Sequence, residues 1–368
     1  MIKKSISLLI VSLLLTFSLI GCTSTAPTNL DSNYQNISLV DMLGREVSLN
    51  DTAKKIVAIG PGALRLYCYV GSVEKVAGIE QIEKDRPIGR PYMLAYPSLC
   101  DLQVIGAGGP TNSPDAEKIL SVNPDVIFIT YGGDRSVADE LQEKTGIPVV
   151  AISYGRVSTF DPDVYTSIKL IGKVIGDEKR AQEVVEFMKN CENDLNDRTK
   201  DIPESQKSST YVGAVNMRGS HGIGSTHGNY SLFNAVNAKN VADETGETGS
   251  FMVDKEKLIE WNPDKIFIDY GGLRVVEKDY KKNPELYSTL SAFKNKETYS
   301  LLPYNFYTTN IDTAMANAYY IGKVLFPEKF EDIDPEKKAD DIYNFLLGKK
   351  LYNEMSEDYG KFQKILFE

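Results

Sequence analysis

Two stretches of this chain are near copies of each other. Residues 117–135 read EKILSVNPDVIFITYGGDR and residues 256–274 read EKLIEWNPDKIFIDYGGLR; they align without a gap at an offset of 139, with 12 of 19 positions identical. Such self-similarity means that one structural unit occurs twice. In each copy a helical run stops at Asn-Pro, because proline cannot continue a helix. A buried apolar strand follows and ends at Tyr-Gly-Gly. In open parallel sheets ligands bind beyond the carboxyl ends of the strands. The repeat therefore predicts two similar α/β lobes, with Tyr131 and Tyr270 at matched site positions, Arg135 and Arg274 close behind them, and one cleft between the lobes.

The surrounding pattern agrees. Short apolar strands are expected at 56–60, 75–79, 125–131 and 148–153, with helices at 63–70, 114–122 and 136–145. Strands alternating with helices predict mainly parallel sheets covered on both faces. A helical tract over about 162–198, dented near Gly176-Asp177, carries apolar residues at helical spacing against charged ones. The α/β alternation resumes at Tyr211. These signals divide the chain into a lobe at 37–160, an interlobe helix at 161–205 and a second lobe at 206–368.

The first residues concern export. Lys3 and Lys4 precede an apolar run that ends in Leu19-Ile20-Gly21-Cys22. A charged start, a short apolar core and a small residue before the cleavage point make a secretory signal. The run is shorter than the roughly 20 residues of a membrane span. Its Leu-Ile-Gly-Cys end resembles a bacterial lipobox, which implies a signal peptide over 1–21, lipidation at Cys22, a flexible tether over 22–36 and an extracytoplasmic, lipid-anchored protein. A formal net charge of -10 argues against nucleic acid as a partner. The other cysteines, Cys68, Cys100 and Cys191, have no zinc-site or disulfide-framework spacing. One bridge with a free thiol and three buried thiols both fit.

The two histidines, His221 and His227, lie in a loop with glycine at 219, 222, 224 and 228 and with Arg218 just ahead. An apolar run leads in and a helical run leads out. Glycine lets backbone approach a ligand and offers free N–H groups. The spacing is not that of a His-Glu-x-x-His zinc hydrolase, and no Gly-x-Ser-x-Gly elbow is present. The chain reads as a binding module and not as an enzyme.

Several segments together resemble the ABC-transporter substrate-binding proteins for iron–siderophore, haem, cobalamin and related metal complexes. They are the lipobox, the opening Asp41-Met-Leu-Gly-Arg-Glu-Val-Ser-Leu49, the strand at 55–60, Val70-Gly71-Ser-Val-Glu-Lys-Val-Ala-Gly78, residues 101–106 and both Glu-Lys…Asn-Pro-Asp units. The resemblance implies two lobes joined by a single long rigid helix. It also implies a monomer with no cofactor of its own, working with a permease and an ATPase. Glu117 and Glu256 match the position at which such proteins dock onto the permease. Around the cleft it points to Arg90, Tyr92, Tyr131 and Tyr154 in the first lobe, and to Arg218, His221, His227, Tyr270, Arg274 and Tyr307 in the second. Arginines give charge-assisted bonds to anionic groups, and tyrosines give flat surfaces with a hydroxyl. The expected ligand is a ferric chelate, to which His221 or His227 could add a metal bond. Alternatives are molybdate or tungstate, or cobalamin or haem.

Overall fold

Runs of residues that are apolar on every side chain can be satisfied only in a sheet covered on both faces. The computed structural model describes residues 36–85, 89–109, 112–131, 134–217 and 219–367. The expected signal peptide, Cys22 and most of the expected tether lie outside them. Strands β1 (Ile37–Val40) and β2 (Glu46–Leu49) form an antiparallel hairpin. Fully buried β3 (Ile56–Ile59), β6 (Val126–Ile129) and β7 (Val149–Ala151) pair in parallel in the order β3-β6-β7. Strands β4 (Gly78–Ile79) and β5 (Gln103–Val104) pair in parallel, and the Ala77 N–H donates to the Ile56 carbonyl at the β3 edge.

The second lobe repeats the plan. Strands β8 (Ser209–Gly213), β10 (Lys239–Asn240), β12 (Lys265–Asp269) and β13 (Thr298–Leu301) form one parallel sheet in the order β10-β8-β12-β13. The C-terminal segment adds to the β13 edge, with Ile365 N–H on the Thr298 carbonyl at 2.8 Å. Strand β9 (Ser225–Gly228), absent from the sequence expectation, pairs antiparallel with β11 (Gly249–Met252). The loop that holds the histidines is therefore partly sheet.

The Asn-Pro-Asp motif has the same job in both lobes. Asn123 and Asn262 take left-handed backbone, with φ of 44° and 42°. After the proline, Asp125 Oδ2 accepts from the N–H groups of Lys54 and Lys55 at 2.7 and 2.8 Å, at the start of β3. Asp264 Oδ2 accepts from the N–H and hydroxyl of Ser209 at 2.9 and 2.8 Å, at the start of β8. Each aspartate thus sets the register of the neighbouring strand.

The expected helix at 162–198 is two helices. Pro162–Ile175 ends at Gly176, whose φ is 74°, and Glu178–Thr199 starts under the Asp177 cap. Only the second is long: 22 residues, or about 33 Å at 1.5 Å per residue. One apolar cluster contains strand residues of the first lobe (Ile56, Phe128, Val150), the long helix (Val184, Leu195) and the second lobe (Val212, Phe267, Leu301). Each lobe also has a smaller core of its own. Among the described residues no helix is long and apolar enough to cross a membrane, and Cys68, Cys100 and Cys191 are all free thiols.

Candidate functional site

The carboxyl ends of the first lobe's strands deliver a compact set of polar groups. Strand β3 runs into Gly60-Pro61-Gly62, β4 into Glu80, β6 into Thr130-Tyr131, and β7 leads on to Tyr154. From the second lobe, the segment after β13 crosses to meet them, and Tyr307 and Thr308 within it have φ of 52° and 68°. Positive φ in residues other than glycine is costly and persists only where the surroundings enforce it.

Glu80 is the centre. It is 3% exposed. Its Oε1 accepts from the Tyr131 hydroxyl at 2.5 Å, and its Oε2 accepts from the Gly60 N–H at 2.9 Å and from the Tyr307 hydroxyl at 2.9 Å. The two phenol oxygens lie 3.3 Å apart, and the Gly109 N–H donates to Tyr307 at 2.9 Å. Burial holds the Glu80 carboxyl above its usual range. Burial and then the Glu80 charge push the phenols of Tyr131 and Tyr307 up as well. Oxygen donors from both lobes therefore converge on one carboxylate.

Arg65 ties the crossing segment down. This fully buried guanidinium donates to the carbonyls of Phe306 at 2.7 Å and Thr309 at 3.0 Å, and to the Tyr154 hydroxyl at 3.1 Å. Tyr154 passes its own proton to the Gly62 carbonyl at 3.0 Å. A side chain at Gly62 would collide with the Tyr154 ring and the Thr308 methyl, so the interlobe contact needs glycine there. From below the segment, Asn310 Nδ2 donates to the Gly89 carbonyl at 2.6 Å.

The sequence-predicted residues divide into three groups. Tyr131, Tyr154 and Tyr307 are brought together. Arg90 and Tyr92 need correction as lining residues, because both are buried and spend their polar groups on Glu83, at 3.0 and 2.6 Å. They brace the wall from behind, with the Arg90 guanidinium 5.8 Å from the Tyr307 ring centroid. The third group stays apart. His221 Nε2 donates to the Met217 carbonyl at 2.8 Å, and His227 Nδ1 donates to the Gly228 carbonyl at 2.9 Å. Burial lowers the pKa of His227. Among the described residues neither histidine is hydrogen-bonded to the first lobe. Arg274 is exposed, and Arg135 turns to Asp139 at 3.1 Å. Arg218 lies outside the described residues. Among these no group of three His, Cys, Asp or Glu side chains could hold a metal.

Tyr131 and Tyr270 are not equivalent, and two positions of the repeat explain why. In the second lobe Asp269 caps a helix that begins at Tyr270 and runs to Lys282, its Oδ1 accepting from Gly271 N–H at 2.9 Å. The first lobe has Thr130 at that position, and its cap is Asp134, before the helix Arg135–Thr145. Tyr270 is therefore swept into a helix and lies against Gly360. The sequence reading missed Glu80 and Arg65. The available signals were an acid directly after an apolar strand and an arginine inside the apolar helix Ala63–Cys68.

Two lobes, a crossing segment and polar groups gathered at strand ends describe a binder, and residues 56–304 match the periplasmic binding protein family. The chain belongs to that family. Periplasmic binding proteins are transport components, not enzymes. The chain is similar to the molybdate-binding protein MolA of Haemophilus influenzae, at 24% identity over 323 residues, covering 83% of this chain and 89% of that one. It is 22% identical to YvrC of Bacillus subtilis, an uncharacterized ABC transporter substrate-binding lipoprotein, over 90% of this chain and 100% of the relative. Its fold is shared with a periplasmic solute binding protein from Veillonella parvula, with a TM-score of 0.70 at 20% identity, covering 88% of this chain and 96% of that one.

Proposed function

We propose that this periplasmic binding protein is a lipid-anchored, extracytoplasmic component of an ABC importer, which captures an iron complex between its lobes and delivers it to the permease. Cys22 is the proposed anchor point. The observation that carries the ligand reading is the meeting of Glu80, Tyr131 and Tyr307 across the lobes. A carboxylate and two phenols are hard oxygen donors, which suit ferric iron and its hydroxyl-rich chelates. Tyr154 contributes through the crossing segment, and His221, His227, Tyr270 and Arg274 form the outer rim of the second lobe. Glu117 and Glu256, both exposed near the start of their helices, dock onto the permease.

A second reading, capture of molybdate or tungstate, draws on the similarity to MolA. The sign of one substitution separates the two. An oxyanion approaching Glu80 meets like charge and gains nothing from the carboxylate, whereas a ferric centre, even within an anionic chelate, gains a hard oxygen donor from it. Glu80→Gln is expected to weaken an iron complex about tenfold or more and to tighten molybdate. Elemental analysis with native mass spectrometry of the purified protein identifies the ligand, and isothermal titration with that ligand checks the sign. A protein carrying molybdenum whose affinity rises in Glu80→Gln overturns the iron reading.

A further inference from the structure

The repeat preserves more than a carboxylate on each docking helix. Helices Ala116–Ser121 and Lys255–Trp261 present Glu117 and Glu256 to solvent, and three residues further on stand Leu120 and Ile259, 43% and 37% exposed. Residues three apart are neighbours on a helix surface. Among the described residues only six large apolar side chains are exposed, and these two occupy the same position of the repeat. The chain reverses at Asn-Pro to enter β6 and β12. The starts of these helices therefore lie on the side of the strands' carboxyl ends, where the ligand is held.

The charges on this surface are unspent. Lys118 pairs with Asp115 at 3.2 Å and Lys257 with Glu260 at 2.8 Å, and among the described residues no ion pair reaches Glu117 or Glu256. Each lobe thus shows one free carboxylate beside one aliphatic side chain, in the same order and spacing. A partner that satisfies both must offer, twice, a basic group next to an apolar recess.

We infer that Leu120 and Ile259 are the apolar half of a two-site docking surface, and that its occupant is the dimeric permease of the importer, each subunit seating one aliphatic side chain beside the Glu117 or Glu256 contact. This rests on the docking reading of the two glutamates. The division of labour is physical: exposed carboxylates guide approach and are screened by salt, while buried aliphatic area slows departure and is not.

The test uses the full-length protein and its permease–ATPase complex in nanodiscs, with binding followed by biolayer interferometry without added ligand. Leu120→Ser with Ile259→Ser should weaken binding about tenfold or more, mainly through faster dissociation, with an unchanged salt dependence and thermal midpoint. Glu117→Gln with Glu256→Gln should slow association and flatten the salt dependence. Unchanged binding in the serine pair, with loss in the glutamine pair, overturns this inference and leaves the docking reading standing. Unchanged binding in both pairs overturns both. Sedimentation velocity covers the other occupant: a dimer of the protein that the serine pair abolishes assigns the patch to self-association instead.

Discussion

Arg65 brings a charge to the junction of the lobes and pairs with no carboxylate among the described residues; its partners are carbonyls and a phenol. Such a group is costly to bury and costlier to remove, since truncation strands every acceptor it served. Arg65→Met is expected to lower stability by about 3 kcal/mol or more in urea unfolding. Arg65→Lys should not restore it, because one ammonium cannot span carbonyls three residues apart as a planar fork can. Asp269 gives a second residue-scale expectation. Burial raises its carboxyl to about 7, and Asp312, buried likewise, is raised to about 6. The folded protein therefore binds these protons more tightly than the unfolded chain. Their contribution to stability is greatest below the unfolded value near 4 and falls as pH rises through 6 and 7. Asp269→Asn should flatten the decline between pH 5 and 8, by an amount on the order of a few kcal/mol, measured as urea midpoints across that range.

At the scale of elements, the buried strands β3, β6, β7 and β12 and their parallel sense were legible because fully apolar runs bounded by turn residues have few alternatives; the β1–β2 hairpin and the order of strands were not. Strand β9 was not legible: Ser-Thr-His-Gly has no apolar alternation, and its partner β11 begins 21 residues after β9 ends. The repeat correctly implied two similar units, but it overstated their likeness. Moving the capping aspartate by four positions changes where a helix begins, and with it where a tyrosine points. The site centre was hidden for a related reason: Glu80 and Tyr307 are 227 residues apart, and no local pattern joins them. One glycine tests the packing of the histidine loop. A side chain at Gly272 would run into the carbonyls of Ala214 and His221. Gly272→Ala should cost about 1–3 kcal/mol in thermal or urea unfolding by forcing the loop away from its helix. His221 should then show faster hydrogen exchange in its neighbouring amides.

At the scale of the molecule, the shared apolar cluster limits what the lobes can do. Opening them widely would expose residues such as Val184, Leu195 and Phe267 that belong to one continuous core. Loading with ligand should therefore change the radius of gyration by less than about 1 Å in small-angle scattering; a larger change would show a hinge that this core does not permit. The unequal fate of the two Tyr-Gly-Gly copies has a further consequence. The outer surface repeats itself, with Glu117 and Glu256 in matched places, while the seat between the lobes has a Tyr131 and no true counterpart. If Glu117 and Glu256 dock as proposed, a two-fold permease would accept such a protein either way round. A cargo seated between the lobes would instead be held in one fixed orientation within its carrier. Delivered copies would thus arrive at the pore in two presentations related by a half-turn about its axis, and a translocation path fed by this protein would have to accept both.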